Sequence, residues 1–349
     1  MSRMKIIALD VHCEFCEGGF IDSRGRELGA FRVPTRIPAL VAEIEKVPRP
    51  RKLVMEEGSL ADWLSRSLAP YVDEMIVCDP YRNALIAKEG EKSDPIDWRK
   101  LAQLCRGGYI RAVHHPETQE RSVLRQHVQL YHERVSRRVS EGHKIIWRAR
   151  GMGVIVVHKD LSDLERRKRM LERLPADQTV QQNMLLLLKG FDLLSEQVIE
   201  LRRRLVELCR NEPMVKRFFE VKGVKHVRAA TFLAIVDTPF RFKSKQKLWK
   251  YMGIGLEKRQ SGKGRVRLSV PLRCNRILKN VILGAAKSAI ASGNNVFADQ
   301  YERWLDAGCS PRIARRNLAR SQAAVMWGMW KSQSAFDEQL VCRSTEVMA

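Results

Sequence analysis

The sequence has no apolar run approaching the 18 residues that a membrane-spanning helix needs, so no membrane partner is predicted. The first residues are basic and lead into a short strand pattern instead of the apolar core of a signal peptide, so we do not expect export. The eight cysteines are scattered along the chain, which excludes a secreted disulfide scaffold and favours free thiols. These absences predict a cytoplasmic protein.

Common metal and nucleotide motifs are also missing. Cys13 and Cys16 form a CxxC pair, but no second such pair or His pair follows at the spacing of a zinc site. The glycine-rich segment 262–264 lacks the P-loop pattern, so binding of a nucleoside triphosphate is disfavoured. His114 and His115 lie at a predicted domain border, where we expect them at the surface without partners.

Acidic residues are few relative to basic ones: 40 Asp and Glu stand against 63 Lys and Arg, which gives a net charge of +23. Residues 1–115 hold 18 basic and 17 acidic residues, whereas residues 116–349 hold 45 and 23, a net of +22. Such a basic balance predicts a polyanionic partner, nucleic acid before others, and hence a nucleoid-associated protein. The uneven distribution suggests carboxylates for a metal in the first part and phosphate binding in the rest.

The first predicted domain, residues 1–115, combines strands and helices. Short apolar runs predict buried strands, and a turn at residues 22–25 predicts a hairpin between two further strands. The buried strands are expected at Lys5–Val11, Lys52–Met55 and Met75–Cys78. Three strands in series followed by alternating helices and strands is the order of a ribonuclease H-like mixed sheet with helices on its faces.

Residues 116–210 and 211–349 are predicted to be mainly helical. Long charged segments with periodic apolar residues, 117–150 and 183–209, predict a helical hairpin or a coiled-coil arm. In the last domain, Val221–Lys225 precedes an Ala-rich helix, as in helix-hairpin-helix elements that offer backbone amides to a phosphate. Such turns also join ordinary helices.

Four carboxylates are candidates for a metal site. Asp10 and Glu56 end buried strands, and Asp94 and Asp97 lie three apart at a helix start, on one face. Carboxylate oxygens suit Mg²⁺ or Mn²⁺, and a metal pair could serve phosphoryl displacement. Asp94 before Pro95 is also typical of an ordinary helix N-cap, and Glu57 competes with Glu56 for the strand-end position.

One serine lies in a strongly basic loop. Ser261 has two cations before it and three after it, so a phosphodiester of a nucleic acid is expected to bind next to its hydroxyl. A serine that only forms a turn in a phosphate-binding loop would give the same pattern. The candidate nucleic-acid contacts are this loop and its surroundings: Lys222, Lys225, Arg241, Lys243, Lys245, Lys258, Arg259, Lys263, Arg265, Arg267 and Asn275.

In order along the chain, these motifs resemble the DEDD transposases of the IS110 insertion-sequence family, which includes Piv-type DNA invertases. The resemblance covers nearly the full length. In the first part it rests on Leu9–His12, Val54–Gly58 and Lys92–Asp97. In the last part it rests on Val221–Val224, Ala229–Ala234, Phe240–Ser244, Leu248–Gly253, Ser261–Gly262 and Asn275. Before Asn275 the family's Ser-Lys-x-Gly is replaced by Pro271–Cys274, which makes Ser269 a second candidate serine.

The resemblance implies a RuvC-like domain in which Asp10, Glu56, Asp94 and Asp97 hold Mg²⁺. It implies that Ser261 forms a covalent phosphoserine link to DNA. It also implies double-stranded DNA partners at element ends and target, a structured guide RNA, and homodimers that assemble into a tetramer in which the carboxylates of one subunit serve the serine of another.

Two other functions remain open from the residues alone. One is a metal-dependent nuclease such as a junction resolvase, in which the carboxylates activate water and Ser261 is incidental. The other is a non-catalytic RNA- or DNA-binding assembly protein that has kept the fold. Covalent trapping and Mg²⁺-dependent cleavage separate the three.

Overall fold

The computed structural model describes residues 4–81, 94–259 and 267–343. The chain divides into two compact units, residues 1–122 and residues 123–349. The predicted domain borders at residues 115 and 210 stay predictions.

The first unit contains a five-stranded mixed sheet. Its strands are β1 (Lys5–Val11), β2 (Phe15–Ile21), β3 (Glu27–Pro34), β4 (Arg51–Glu56) and β5 (Glu74–Cys78), in the spatial order β3-β2-β1-β4-β5. The pairs β1–β2 and β2–β3 are antiparallel, and β1, β4 and β5 run parallel. The predicted hairpin and mixed α/β sheet are therefore confirmed, and the closer assignment to a RuvC-like fold stays a prediction.

Helices cover both faces of this sheet, which is why its central strands read as unbroken apolar runs. On one face, α1 (Ile37–Glu45) and α2 (Ala61–Leu68) pack with the β1 side chains Ile7 and Leu9. On the other face, α3 (Asp94–Arg106) packs with the alternate β1 positions Ile6 and Ala8 through Trp98, which is almost fully buried. Gly19 permits this contact, because a Cβ there would lie 2.4 Å from the Trp98 ring.

The second unit is largely helical. The two long helices are α4 (Gln119–Gly151), which starts just before the unit, and α6 (Gln178–Leu208), and α5 (Leu164–Glu172) lies between them in sequence. His127 Nε2 on α4 lies 2.8 Å from the carbonyl oxygen of Leu201 on α6, and Arg167 on α5 forms two hydrogen bonds with the Asp192 carboxylate on α6. Both predicted long helices are confirmed, while a coiled-coil contact between subunits stays a prediction.

The C-terminal part of this unit shares one apolar core, to which α4 and α6 also contribute. Its elements are α7 (Pro213–Arg217), α8 (His226–Val236), α9 (Lys245–Tyr251), the paired strands β6 (Glu257–Arg259) and β7 (Arg267–Ser269), α10 (Arg276–Ser292), α11 (Val296–Asp306), α12 (Pro311–Ser332) and α13 (Glu338–Arg343). In the described ranges, no helix is both long and apolar enough to cross a membrane.

The turn before α8 is closed by a hydrogen bond from the amide of Val224 to the carbonyl of Val221. Gly223 occupies it with φ +85°, and a Cβ at this residue would lie 2.2 Å from the carbonyl oxygen of Ala285 on α10. Glycine is required because the backbone conformation and the close approach both exclude a side chain. The helix-hairpin-helix assignment of this turn stays a prediction.

Candidate functional site

Asp10 and Glu56 lie at the same edge of the sheet. Leu9 pairs with Met55 in the parallel register of β1 and β4, and Asp10 and Glu56 each follow that pair by one residue. Both are in phase with Ala8 and Val54, which face the side covered by α3. The carboxyl ends of two neighbouring parallel strands thus place two acidic residues side by side, where open α/β sheets bind ligands.

Helix α3 brings its first turn to this edge. Gln103 Nε2 donates to the carbonyl of Gly25 (2.8 Å), in the turn at the opposite end of the sheet, while Trp98 lies over Gly19, the β2 partner of Ala8. The helix therefore runs antiparallel to β1. From Trp98 back to Asp94 the helix rises about 6 Å, and from Ala8 to Asp10 the strand advances about 7 Å. The start of α3 is consequently level with Asp10.

Asp97 is exposed on the first turn of α3. Asp94 is the first residue of the helix, and its side chain lies outside the described part of the structure, so the N-cap alternative for it stays open. The structure thus brings the strand ends that carry Asp10 and Glu56 together with the helix start that carries Asp94 and Asp97.

His12 is a hydrogen-bond partner of the Asp10 carboxylate. Its Nε2 donates to Asp10 Oδ2 over 3.1 Å, and its ring packs on Phe15 with 4.6 Å between centroids. Thr35 Oγ1 donates to the His12 carbonyl (2.7 Å), which holds the segment after β1 in place. Sequence reasoning did not assign this contact, although a His two residues after an Asp at a strand end lies on the same side and was a usable signal.

Glu57, the residue after Glu56, has His115 as a partner. His115 Nε2 lies 2.5 Å from Glu57 Oε2, and its Nδ1 lies 3.4 Å from Asp62 Oδ1. The expectation that His115 lacks partners was wrong: its side chain is 11% exposed, because the segment after α3 returns across these two carboxylates.

Asp62 is the centre of that cluster. Ser122 Oγ donates to Asp62 Oδ2 (2.5 Å), and Arg66 pairs with the same carboxylate over 2.8 Å. Burial opposes ionisation, but the hydrogen bonds from Arg66, Ser122 and His115 outweigh it and hold the pKa of Asp62 below its usual value. This cluster stabilises the charged carboxylate inside the first unit.

The strand-end carboxylates suit a hard divalent cation in their chemistry. Mg²⁺ is bound in proteins by one or two carboxylates together with waters and substrate phosphates, and does not require a cage made wholly of protein ligands. Among the residues that the structure describes, no three His, Cys, Asp or Glu side chains form a group that could hold an ion. The described strand-end carboxylates, Asp10 and Glu56, therefore suit Mg²⁺ by donor type, and a metal site that they form with Asp94 and Asp97 stays a prediction.

The candidate nucleophile belongs to the β6–β7 hairpin. Arg259 and Arg267 are paired in its antiparallel register, and residues 260–266 connect them. Ser261, Lys263 and Arg265 lie outside the described residues, as do the side chains of Lys258, Arg259 and Arg267. The competing serine, Ser269, is described, and its Oγ is buried without a hydrogen-bond partner among the described residues.

The other predicted nucleic-acid residues divide into two groups. Lys222, Lys225, Lys243 and Lys245 are exposed around the turn before α8 and the start of α9.

The second group, Arg241 and Asn275, uses its polar atoms within the fold. Arg241 donates to the carbonyl of Ile235 (2.7 Å) and lies over the Tyr251 ring at 4.5 Å. The Asn275 side chain accepts from the amide of Leu278 (2.9 Å) and caps α10.

An acidic sheet edge in one unit and a basic helical second unit define a class of α/β proteins suited to chemistry on nucleic acids. Residues 215–302 match the family model described as Transposase IS116/IS110/IS902 family. The match confirms the resemblance seen in the motifs of this range, and this domain supports the interpretation of the chain as an IS110-family transposase. The transposase domain supports a transposase or recombinase function and implies DNA binding. The chain matches no curated protein.

Proposed function

We propose that this transposase cuts and rejoins DNA strands through a covalent phosphoserine at Ser261, assisted by Mg²⁺ at Asp10, Glu56, Asp94 and Asp97. The observation that carries the proposal is the family match, because the matched range 215–302 contains Ser261 and its basic loop. In the cleavage step the Ser261 hydroxyl gives up its proton as its oxygen bonds to phosphorus, and the bond from phosphorus to a deoxyribose oxygen breaks, so that this oxygen takes up a proton and leaves as a free hydroxyl end. Rejoining is the reverse, with a hydroxyl end of a second strand attacking the phosphoserine.

The serine needs help, because its hydroxyl is not acidic near pH 7. His226 is the nearest histidine in sequence, and residues 227–349 contain none, so a Ser–His pair within the loop is excluded. Bound Mg²⁺ would supply Lewis acidity to the scissile phosphate and to the attacking or leaving oxygen. The acidic edge formed by β1, β4 and the start of α3 is the part of the chain that would hold it.

The guide RNA and the subunit arrangement are part of the same proposal. The net charge of +22 over residues 116–349 leaves ample basic surface for an RNA in addition to DNA. In the proposed tetramer of paired homodimers, the carboxylates of one subunit serve the serine of another. A mixture of Ser261→Ala and Asp10→Asn proteins should then recover part of the adduct that each variant alone fails to form.

Trapping the covalent adduct tests the proposal directly. Full-length protein is incubated with Mg²⁺, element-end DNA and RNA transcribed from the flanking sequence, denatured, and digested for mass spectrometry of the linked peptide. A phosphodiester on Ser261, lost in Ser261→Ala and kept in Ser269→Ala, is expected. Mg²⁺-dependent cleavage without any adduct would indicate the metal-only nuclease instead. No cleavage at any protein concentration would indicate an assembly protein.

A further inference from the structure

A basic pocket of about 430 Å³ lies between α10 and α12. Its cations come from two walls: Lys279 and Lys287 on α10, and Arg312, Arg315 and Arg316 on α12. None of these residues was among the nucleic-acid contacts predicted from sequence. Among the described residues, no carboxylate lines the pocket, and none of the five cations forms an ion pair.

Arg320 on α12 holds the chain at Ile254, which lines the pocket. Its Nε donates to the carbonyl of Ile254 (2.7 Å), and its Nη1 donates to Asn317 Oδ1 (3.0 Å). Burial, with Arg316 nearby, lowers the pKa of Arg320, and burial with Arg312 nearby lowers that of Arg316. The fold therefore holds like charges together without a compensating acid, at a cost in stability that an anionic ligand would offset.

The pocket adjoins the segment that leads to the candidate serine. Ile254 lines the pocket, and β6 begins at Glu257, only a few residues further along the chain. Gly284 also lines the pocket, on the α10 side between Lys279 and Lys287. A DNA strand whose phosphate reaches the β6–β7 hairpin would therefore have a cationic surface close to the start of β6.

The spacing of the cations suits a row of phosphates. Lys279 and Lys287 are separated by about 12 Å along α10. Duplex DNA carries one phosphate per about 3.4 Å of axis on each strand, so this length faces roughly three or four phosphates. Five cations across two walls are enough to face each phosphate of such a row with a charge of opposite sign.

We propose that the pocket formed by Lys279, Lys287, Arg312, Arg315 and Arg316 binds the phosphate backbone of the DNA on which the transposase domain acts. The inference rests on the proposed function, because DNA is chosen over RNA on account of the transposase family and the adjacent serine hairpin. The contacts are to phosphates, so they position the strand and carry no sequence preference of their own.

Salt-dependent binding of full-length protein to a duplex DNA fragment tests the inference. The variants are Arg312→Gln/Arg315→Gln/Arg316→Gln for one wall and Lys279→Gln/Lys287→Gln for the other. Each lost phosphate contact reduces the steepness of the plot of log K against log salt by about 0.9. We therefore expect the steepness to fall by about 2 to 3 in the triple arginine variant and by about 2 in the double lysine variant. Near 0.15 M salt the Kd of the triple variant should rise about 10- to 100-fold.

The matched control is Arg24→Gln/Arg26→Gln/Lys46→Gln, which removes three exposed cations from the first unit. It should keep the wild-type slope. Thermal unfolding checks each variant, and the two walls provide independent tests should one variant fail to fold. Variants that match the control would overturn the pocket assignment, even where the Ser261 adduct forms normally. Weakened binding to an RNA hairpin with unchanged DNA binding would overturn the choice of DNA. Wild-type protein without salt-dependent DNA binding would overturn this inference together with the proposed function.

Discussion

A half-buried histidine makes the stability of the second unit depend on pH. His132 on α4 lies 2.8 Å from Thr231 Oγ1 on α8, and that hydroxyl donates to the Val227 carbonyl (2.6 Å). The hydroxyl must therefore accept from His132 Nε2, which keeps that nitrogen protonated in the neutral ring. Burial lowers the pKa of His132 to about 4 from its ordinary 6.5.

Because the folded-state pKa is lower, the unfolded chain binds the proton more readily between pH 6.5 and pH 4. The stability contributed by neutral His132 is complete above pH 6.5 and is lost as pH falls towards 4. The shift corresponds to about 3 kcal/mol, or about 2 kcal/mol once partial solvent access is allowed for.

Urea unfolding from pH 7 to pH 4 measures this effect, followed by tryptophan fluorescence because five of the seven tryptophans lie in the second unit. The side chain of His132→Gln can still donate to Thr231 but does not titrate. From pH 7 to pH 4 the free energy of unfolding of this variant should therefore fall by about 2 kcal/mol less than that of the wild type. The control is His226→Gln, at an exposed position of α8, which should follow the wild type. Parallel curves for wild type and His132→Gln would refute the reasoning.

Three further substitutions test separate parts of the structure. Gly223→Ala should lower the free energy of unfolding by at least about 3 kcal/mol, because it combines a left-handed backbone with a clash against Ala285; a urea midpoint near wild type would contradict the described turn. Asn275→Ala should cost about 1 kcal/mol in the same assay through loss of the α10 cap, whereas Asn275→Asp should restore most of it; equal losses would contradict the capping role. Asp10→Asn should abolish strand cleavage in a gel assay while DNA affinity and Tm stay close to wild type; robust Mg²⁺-dependent cleavage by this variant would contradict the proposed metal site.

Much of the sheet was predictable because its signals are local. Buried strands read as short apolar runs, and the residue that ends each run, Asp10 or Glu56, is placed at the sheet edge by strand geometry alone. The helical start at Asp94–Pro95 is equally local, since Pro is favoured at the first helical positions.

Contacts between distant segments were not predictable in this way. His115 meets Glu57 and Asp62 only because the chain after α3 returns across them, and no spacing in the sequence reports that return. The pocket between α10 and α12 likewise needs the packing of two helices and the Ile254 segment. Asn275 is the opposite case. An Asn just before an apolar periodic segment is a local signal for a helix cap, but the sequence analysis assigned Asn275 to nucleic-acid binding instead.

The central claim is that Ser261 and the carboxylate site act together, and adduct yield with and without divalent metal tests it most directly. Full-length protein is incubated with element-end DNA and its flanking RNA in Mg²⁺ or in excess chelator, and the covalent protein–DNA product is quantified on a denaturing gel. The account predicts adduct in Mg²⁺, none in chelator and recovery when Mg²⁺ is restored, with Ser261→Ala inactive throughout. An adduct on Ser261 whose yield is unchanged by chelation would contradict it and indicate a metal-independent serine recombinase.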